Sequence, residues 1–290
     1  MAARGAGPST LKIAALTAVA MVAFAANSLL CRIALAHATI DAASFGSIRL
    51  LAGALALGAI LRLRRGAPAR GAADGWAAAM LFAYVALFSF AYLTLSAGTG
   101  ALILFGAVQL TMFGAGLAGG ERFRAVAWCG LALAVGGLVV LLSPGLAAPP
   151  PAGAAMMAAA GVAWGVYSLR GRGVADPLAA TAANFARATP LALLLSLVLA
   201  FDARVDASGA ALAVASGALT SGLGYVIWYA ALPSLSAMRA ATVQLSVPPI
   251  AAFGGVLFLS ETITLRLVAA SLAILGGVAL VLASRSRRPA

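Results

Sequence analysis

Residues 113–137, FGAGLAGGERFRAVAWCGLALAVGG, and residues 253–277, FGGVLFLSETITLRLVAASLAILGG, are two copies of one pattern set 140 positions apart. Phe113-Gly114 overlies Phe253-Gly254, Glu121 overlies Glu261, and Gly136-Gly137 overlies Gly276-Gly277. Working outward, the offset holds without a gap. Leu95-Ser96-Ala97 lies over Leu235-Ser236-Ala237, Phe45 over Phe185 and Ser28 over Ser168, so that 11–143 can be laid over 151–283. Low-complexity apolar sequence matches itself by chance at small residues. Two glutamates and two Gly-Gly pairs at one separation are a stronger sign, and they read as an internal duplication.

Composition fixes the solvent. Apolar residues make up 63 % of the 290 residues and charged residues 9 %, and the mean hydropathy is +1.06. A soluble domain carries roughly a quarter charged residues, so this chain lacks the polar surface to face water. A helical span needs about 20 apolar residues, and ten stretches qualify: 12–35, 43–61, 76–95, 99–118, 126–143, 152–169, 177–200, 209–231, 240–259 and 266–284. Strand-like alternation is absent, so the expected fold class is an all-α polytopic membrane protein. Each copy holds five spans. Five is odd, so the second copy enters the bilayer from the opposite side, and two inverted five-helix repeats enclose a central cavity. The expected organisation is 1–143 as the first repeat, 144–151 as a Pro-rich outer connection, and 152–290 as the second repeat.

The net charge of +12 points to nucleic acid only until its placement is read. With the N-terminus cytoplasmic, Arg4, Lys12, Arg62, Arg64, Arg65, Arg70, Arg122, Arg124, Arg170, Arg172, Arg239, Arg285, Arg287 and Arg288 all fall inside. Only Arg204 and Arg266 fall outside, while Arg32, Arg49 and Arg187 lie within spans. This asymmetry satisfies the positive-inside rule with both termini cytoplasmic. The basic excess orients the chain; no nucleic-acid partner is expected. The first span is read as retained, since its removal breaks the repeat. Cys31 and Cys129 sit at opposite ends of their spans and are not expected to pair.

Hydrolytic and redox chemistry finds little material. The single histidine, His37, is placed at the interface, and no metal-ligand, P-loop or GxSxG pattern occurs, so no cofactor or metal is expected. All seven carboxylates (Asp41, Asp74, Glu121, Asp176, Asp202, Asp206 and Glu261) fall at span ends or in connections. A mid-membrane carboxylate is the usual proton relay or cation counter-ion. Without one, the expected cargo is neutral or zwitterionic. Arg49 and Arg187 lie roughly 9 and 15 Å into their spans at 1.5 Å per residue. Each either snorkels and binds carbonyls or, for Arg187, meets a substrate carboxylate.

The remaining buried polar and aromatic groups nominate a solute site: Asn27, Tyr84, Phe88, Gln109, Trp164, Tyr167, Ser168, Arg187, Tyr225 and Gln244. An organic-solute pocket is mostly apolar with a few placed hydrogen-bonding groups. Trp164 and Tyr167, three apart, share a helix face. At the repeat offset Phe24 overlies Trp164 and Asn27 overlies Tyr167. Trp228 and Tyr229 read as interfacial belt residues. Pro190, Pro248 and Pro249 fall inside spans, as packing kinks or as hinges. Gly161 with Gly165 and Gly116 with Gly120 have close-packing spacing.

On Phe24-Ala25-Ala26-Asn27, Arg49-Leu50-Leu51, Gly120-Glu121-Arg122, Trp164-Gly165, Ser260-Glu261 and the two Gly-Gly pairs, the chain resembles a ten-helix member of the drug/metabolite transporter superfamily. It is most similar to the bacterial amino-acid exporter branch that handles aromatic amino acids. The resemblance covers essentially 11–284. It implies a basket of two inverted repeats, export across the bacterial inner membrane, and structural turn roles for Glu121 and Glu261. Phe24-Ala25 stands where many relatives carry Trp-Gly. Small four-helix cousins that pump cations rely on a buried Glu, which is missing here.

The expected function is therefore a secondary transporter, not an enzyme. It exports amino acids, aromatic or apolar, by alternating access without a buried-carboxylate proton relay, as a monomer in the lipid bilayer. The rivals are an exporter of other neutral metabolites or drugs and an intramembrane lipid-modifying enzyme.

Overall fold

The computed structural model describes residues 10–64, 74–120, 123–145, 148–171, 174–235 and 243–284. Ten helical segments appear among them: α1 (Thr10–Ala36), α2 (Ala42–Leu63), α3 (Gly75–Ala91), α4 (Ala97–Ala118), α5 (Ala125–Leu142), α6 (Pro151–Arg170), α7 (Pro177–Val198), α8 (Ala207–Ala231), α9 (Val247–Leu259) and α10 (Leu265–Ser284). Eight are long and apolar enough to cross a bilayer; α3 and α9 are shorter apolar helices. Strand structure among the described residues is limited to one bridge, Ile40 with Val205. The chain is an all-helical, multi-pass membrane protein.

Side-chain caps start the helices. Asp41, Ser96 and Asp176 accept from the backbone N–H three residues on, at Ser44, Thr99 and Ala179, and Asp74 accepts from Trp76. Each cap of this kind contributes about 1 kcal/mol. Pro177 occupies the first turn of α7, where its missing N–H leaves nothing unpaired. Pro190 sits inside α7 as expected.

Contacts at the helix ends reveal the direction of each half. Arg64, which caps the end of α2, pairs with Asp176, which caps the start of α7, at 2.7 Å. Arg170, closing α6, pairs with Asp74 ahead of α3. At the opposite end, Ile40 ahead of α2 bridges Val205 ahead of α8, and the Arg204 N–H donates to Asp41 at 3.0 Å. So α2 ends where α7 begins, and α1 ends on the face opposite to that on which α6 ends. Helices five elements apart run in opposite directions. Their packing follows the same interchange: α2 lies on α7, α4 on α9 and α5 on α10, while α3 on α6 is mirrored by α8 on α1.

In lipid, helix association rests on close packing rather than on hydrophobic exclusion. The α5–α10 contact shows it: a Cβ on Gly277 would stand 2.4 Å from the Gly130 carbonyl oxygen. Of the paired glycines, Gly137 and Gly277 meet the opposite helix, whereas Gly136 and Gly276 face open space. Gly161 presses on Leu104 and Ala107, and Gly165 on Thr111, which seats α6 against α4.

Three expectations change. Pro248 and Pro249 do not kink a helix: α9 starts at Val247, so both fall in its first turn, where N–H groups lack intrahelical partners anyway. The ninth span, read as 240–259, is broken at 245–246, and its first residues lie outside the described ones. The eighth carries wide π-helical turns over Ala215–Leu223, which no hydropathy pattern signals. Glu121, Arg122, Arg172 and Arg239, with Arg4, Arg65, Arg70, Arg285, Arg287 and Arg288, also lie outside the described residues.

Candidate functional site

A cavity holding about 440 Å³ of unfilled space, part of it open to the exterior, lies where α1, α3, α4, α6 and α8 meet. Its walls are Phe24, Asn27 and Ser28 from α1, Tyr84 and Phe88 from α3, Leu104 and Phe105 from α4, and Trp164 from α6. Thr220, Ser221 and Tyr225 from α8 and Gln244 ahead of α9 complete it.

The rings form a continuous wall. Trp164 stacks on Tyr225 with centroids 5.7 Å apart and planes 19° from parallel, and Tyr84 lies 4.8 Å from Trp164. Phe24 meets Tyr225 edge-on at 5.9 Å, and Phe88 lies 5.3 Å from Tyr84. Such ring pairs contribute about 0.5–1.5 kcal/mol each beyond the area they bury. They also offer flat apolar faces to a solute.

The polar groups are chained. Ser216 donates its hydroxyl to Asn27 Oδ1 at 2.7 Å, and the Thr220 hydroxyl, which donates to the Ser216 carbonyl at 2.8 Å, lies 3.3 Å from the same amide oxygen. That leaves the Asn27 amide N–H groups for Tyr84, whose hydroxyl oxygen accepts one at 3.4 Å. Both hydroxyls come from the π-helical stretch of α8, and wide turns of this kind frequently mark functional positions. Behind Tyr84 lies Arg49, 1 % exposed. Its Nη2 donates to the Tyr84 hydroxyl at 3.1 Å, and its guanidinium carbon lies 5.2 and 5.1 Å from the ring centres of Tyr84 and Phe88. These are cation–π distances. The α2 backbone there is clamped, because a Cβ on Gly217 would stand 2.1 Å from the Arg49 carbonyl oxygen.

Of the ten nominated residues, the structure gathers Asn27, Tyr84, Phe88, Trp164, Tyr225 and Gln244 on the cavity wall. The other four are not on it. Tyr167 is buried beside Trp164, with rings 5.3 Å apart. The Ser168 hydroxyl donates back to the Trp164 carbonyl, and Gln109 is half-buried on α4. Arg187 is exposed on α7, so the expectation that it meets a substrate carboxylate is replaced: the arginine beside the cavity is Arg49. Trp228 is also corrected, from belt to interior. It is 8 % exposed and packs 6.1 Å from Phe24, because α8 turns that face toward α1. Phe24 and Trp164, which coincide at the 140-residue offset, both line the cavity. Ser28, Thr220 and Ser221 escaped the sequence reading because small hydroxyl residues occur throughout such helices. Among the lining residues none is a carboxylate, and among the described residues no cluster of His, Cys, Asp or Glu is fit to hold a metal.

At one end, Glu261 ties four segments. It pairs with Arg32 of α1 at 3.1 Å and accepts the Ala97 N–H of α4 at 2.9 Å, while Arg32 also donates to the Tyr92 carbonyl after α3. This is the structural turn role expected of it.

A multi-pass helical protein with oppositely directed halves and an aromatic-walled cavity between them has the architecture of a membrane carrier. Residues 151–283, from the first residue of α6 to the penultimate residue of α10, match the EamA-like transporter family, of the drug/metabolite transporter superfamily. An uncharacterized protein of Pseudomonas aeruginosa is 55 % identical over 276 residues, covering 95 % of this chain and 96 % of that one. A crystal structure sharing 18 % identity superposes with a TM-score of 0.67 over 96 % of this chain and all of that one; the likeness shows a common fold.

Proposed function

We propose that this transporter exports amino acids, aromatic or apolar ones, across the bacterial inner membrane, with both termini cytoplasmic. The observation that carries the reading is the cavity. Six aromatic side chains from both halves enclose it, amide and hydroxyl groups punctuate the wall, and no carboxylate lines it. That is the composition of a site for a zwitterion with an apolar side chain, and it offers no counter-ion to a cationic drug. The helices of 1–143 and of 152–290 act as two repeats that rock against one another about this cavity, exposing it to each face in turn. The substrate's own gradient supplies the driving force, since no mid-membrane carboxylate carries a proton. The protein works as a monomer.

Uptake of labelled phenylalanine and tryptophan into proteoliposomes, with and without an imposed pH gradient, tests this. Saturable uptake with counter-exchange and no gradient is the expected result. Uptake that requires the gradient overturns the energetic part, and absence of uptake under both conditions overturns the amino-acid part.

A further inference from the structure

We infer that Arg49 and Tyr84 form the anchor for the substrate's carboxylate, an inference that rests on the amino-acid reading above and gives it a direction. Arg49 carries a charge in the interior of the helix bundle without a carboxylate to balance it. The ion pairs among the described residues are Arg32–Glu261, Arg64–Asp176, Arg170–Asp74 and Arg204–Asp206, and none involves Arg49. Its Nε and Nη1 are buried and lack any hydrogen-bond partner. A guanidinium kept in this condition needs an anion, and none of the described side chains provides one.

Tyr84 connects this charge to the cavity. Its hydroxyl oxygen accepts from Arg49 Nη2 at 3.1 Å and from Asn27 Nδ2 at 3.4 Å. A phenol oxygen has two lone pairs and one hydrogen. With both lone pairs engaged by N–H donors, the hydrogen is the one function left, and no acceptor for it occurs among the described residues. Tyr84 lines the cavity, so the acceptor is supplied by what enters. A donor whose oxygen is held by a guanidinium is polarised toward giving its proton into a hydrogen bond, and such charge-assisted bonds are shorter and stronger than neutral ones.

A carboxylate meets every part of this demand. It is acceptor-only, and its single negative charge balances the single buried positive one. An anion bonded to the Tyr84 hydroxyl lies roughly 2.7 Å from that oxygen, near enough to feel Arg49 through a medium of low dielectric. The apolar part of the substrate then lies along Trp164, Tyr225 and Phe24. The carboxylate is therefore the obligatory group, and the ammonium is dispensable.

The test is thermal stabilisation of the purified protein in detergent by L-phenylalanine, 3-phenylpropionate, L-phenylalaninamide and 2-phenylethylamine. The two acids should stabilise it, and the amide and amine should bind more weakly by on the order of 10- to 100-fold, the range for one hydrogen bond to a charged group. Tyr84→Phe, which keeps the ring and its packing, should erase that preference. Arg49→Lys should retain part of it, and Arg49→Gln should lose it. Equal binding of acids and their uncharged or amine analogues overturns the anchor but leaves an aromatic-solute carrier standing. A preference that persists in Tyr84→Phe and Arg49→Gln overturns the residue assignment. If no member of the panel stabilises the wild type, the amino-acid reading fails and the anchor falls with it.

Discussion

Helices α2 and α7 occupy equivalent places in the two halves, pack against each other and run in opposite directions, yet they treat an arginine differently. Position 47 of α2 is a buried serine whose hydroxyl meets that of Ser196 of α7 at 2.7 Å; its counterpart at the 140-residue offset is Arg187, exposed. Two residues further, Arg49 of α2 is buried, and its counterpart Thr189 is a buried hydroxyl bonded to its own helix. Duplication supplied the frame, and divergence within it left one uncompensated charge near the centre. The neighbours explain why α2 can hold it. On α8, Gly217 allows backbone contact at Arg49, whereas the equivalent place on α3, which faces α7, is Ala77. A symmetric scaffold thus encloses an asymmetric site, as expected for a substrate with two unlike ends.

The largest expected effect compares the two arginines directly. Arg49→Leu should lower the transport rate by on the order of 100-fold, the loss for a charge-assisted contact plus its misplaced neighbours. Arg187→Leu should stay within about twofold, as for surface positions. Equal losses in proteoliposome flux, with equal protein recovery, break the contrast.

Packing gives the next test. Gly217→Ala drives a methyl group against the α2 backbone and should cost about 1–3 kcal/mol of stability, the usual penalty of overpacking. Ala77→Gly on the α3–α7 side should cost no more than about 1 kcal/mol. Thermal unfolding in detergent reads both, and a tolerated Gly217→Ala means that α8 does not clamp Arg49.

Two tryptophans, the half-buried Trp164 and the buried Trp228, sharpen the location of the site. Trp164→Ala should reduce transport about tenfold through loss of a stacking face, with a modest change in melting temperature. Trp228→Ala should act mainly through stability, as cavity-forming changes do. The reverse pattern moves the substrate toward the end of α8.

The smallest effect concerns the cap of α2. Burial works to raise the Asp41 carboxyl, but hydrogen bonds from Ser44 and the Arg204 backbone outweigh it and hold the group below the ordinary carboxylate range. A folded-state pKa below the unfolded one contributes stability that is complete above the unfolded value and is lost only as pH falls through the folded one. Between pH 8 and 5 the melting temperature should therefore not change on account of Asp41. Below pH 4, wild type should lose stability that Asp41→Asn has already lost. Because Asp41 is only partly buried and solvent screens it, the difference stays under about 1 kcal/mol.

The aromatic part of the site was legible because large rings and amides are rare in an Ala-, Leu- and Gly-rich membrane chain. Asn27, Tyr84, Phe88, Trp164, Tyr225 and Gln244 stood out for that reason. Gln109 and Ser168 stood out equally and are not on the cavity wall, since rarity does not say which way a helix is turned. Arg187 was favoured over Arg49 on depth alone, and depth along a helix says nothing of azimuth.

By itself the sequence determined the solvent, the helical class, the duplication and, from the odd number of spans per copy, the opposed direction of the halves. These follow from local properties that add along the chain: hydropathy, span length and the parity of crossings. Only the tertiary structure decided that Arg49 is buried behind Tyr84, that Trp228 turns inward, and that α8 widens into π-helical turns whose hydroxyls orient Asn27. Each depends on the rotation of one helix against its neighbours, which in lipid is set by close packing at Gly217, Gly161 and Gly277, contacts between residues far apart in the chain.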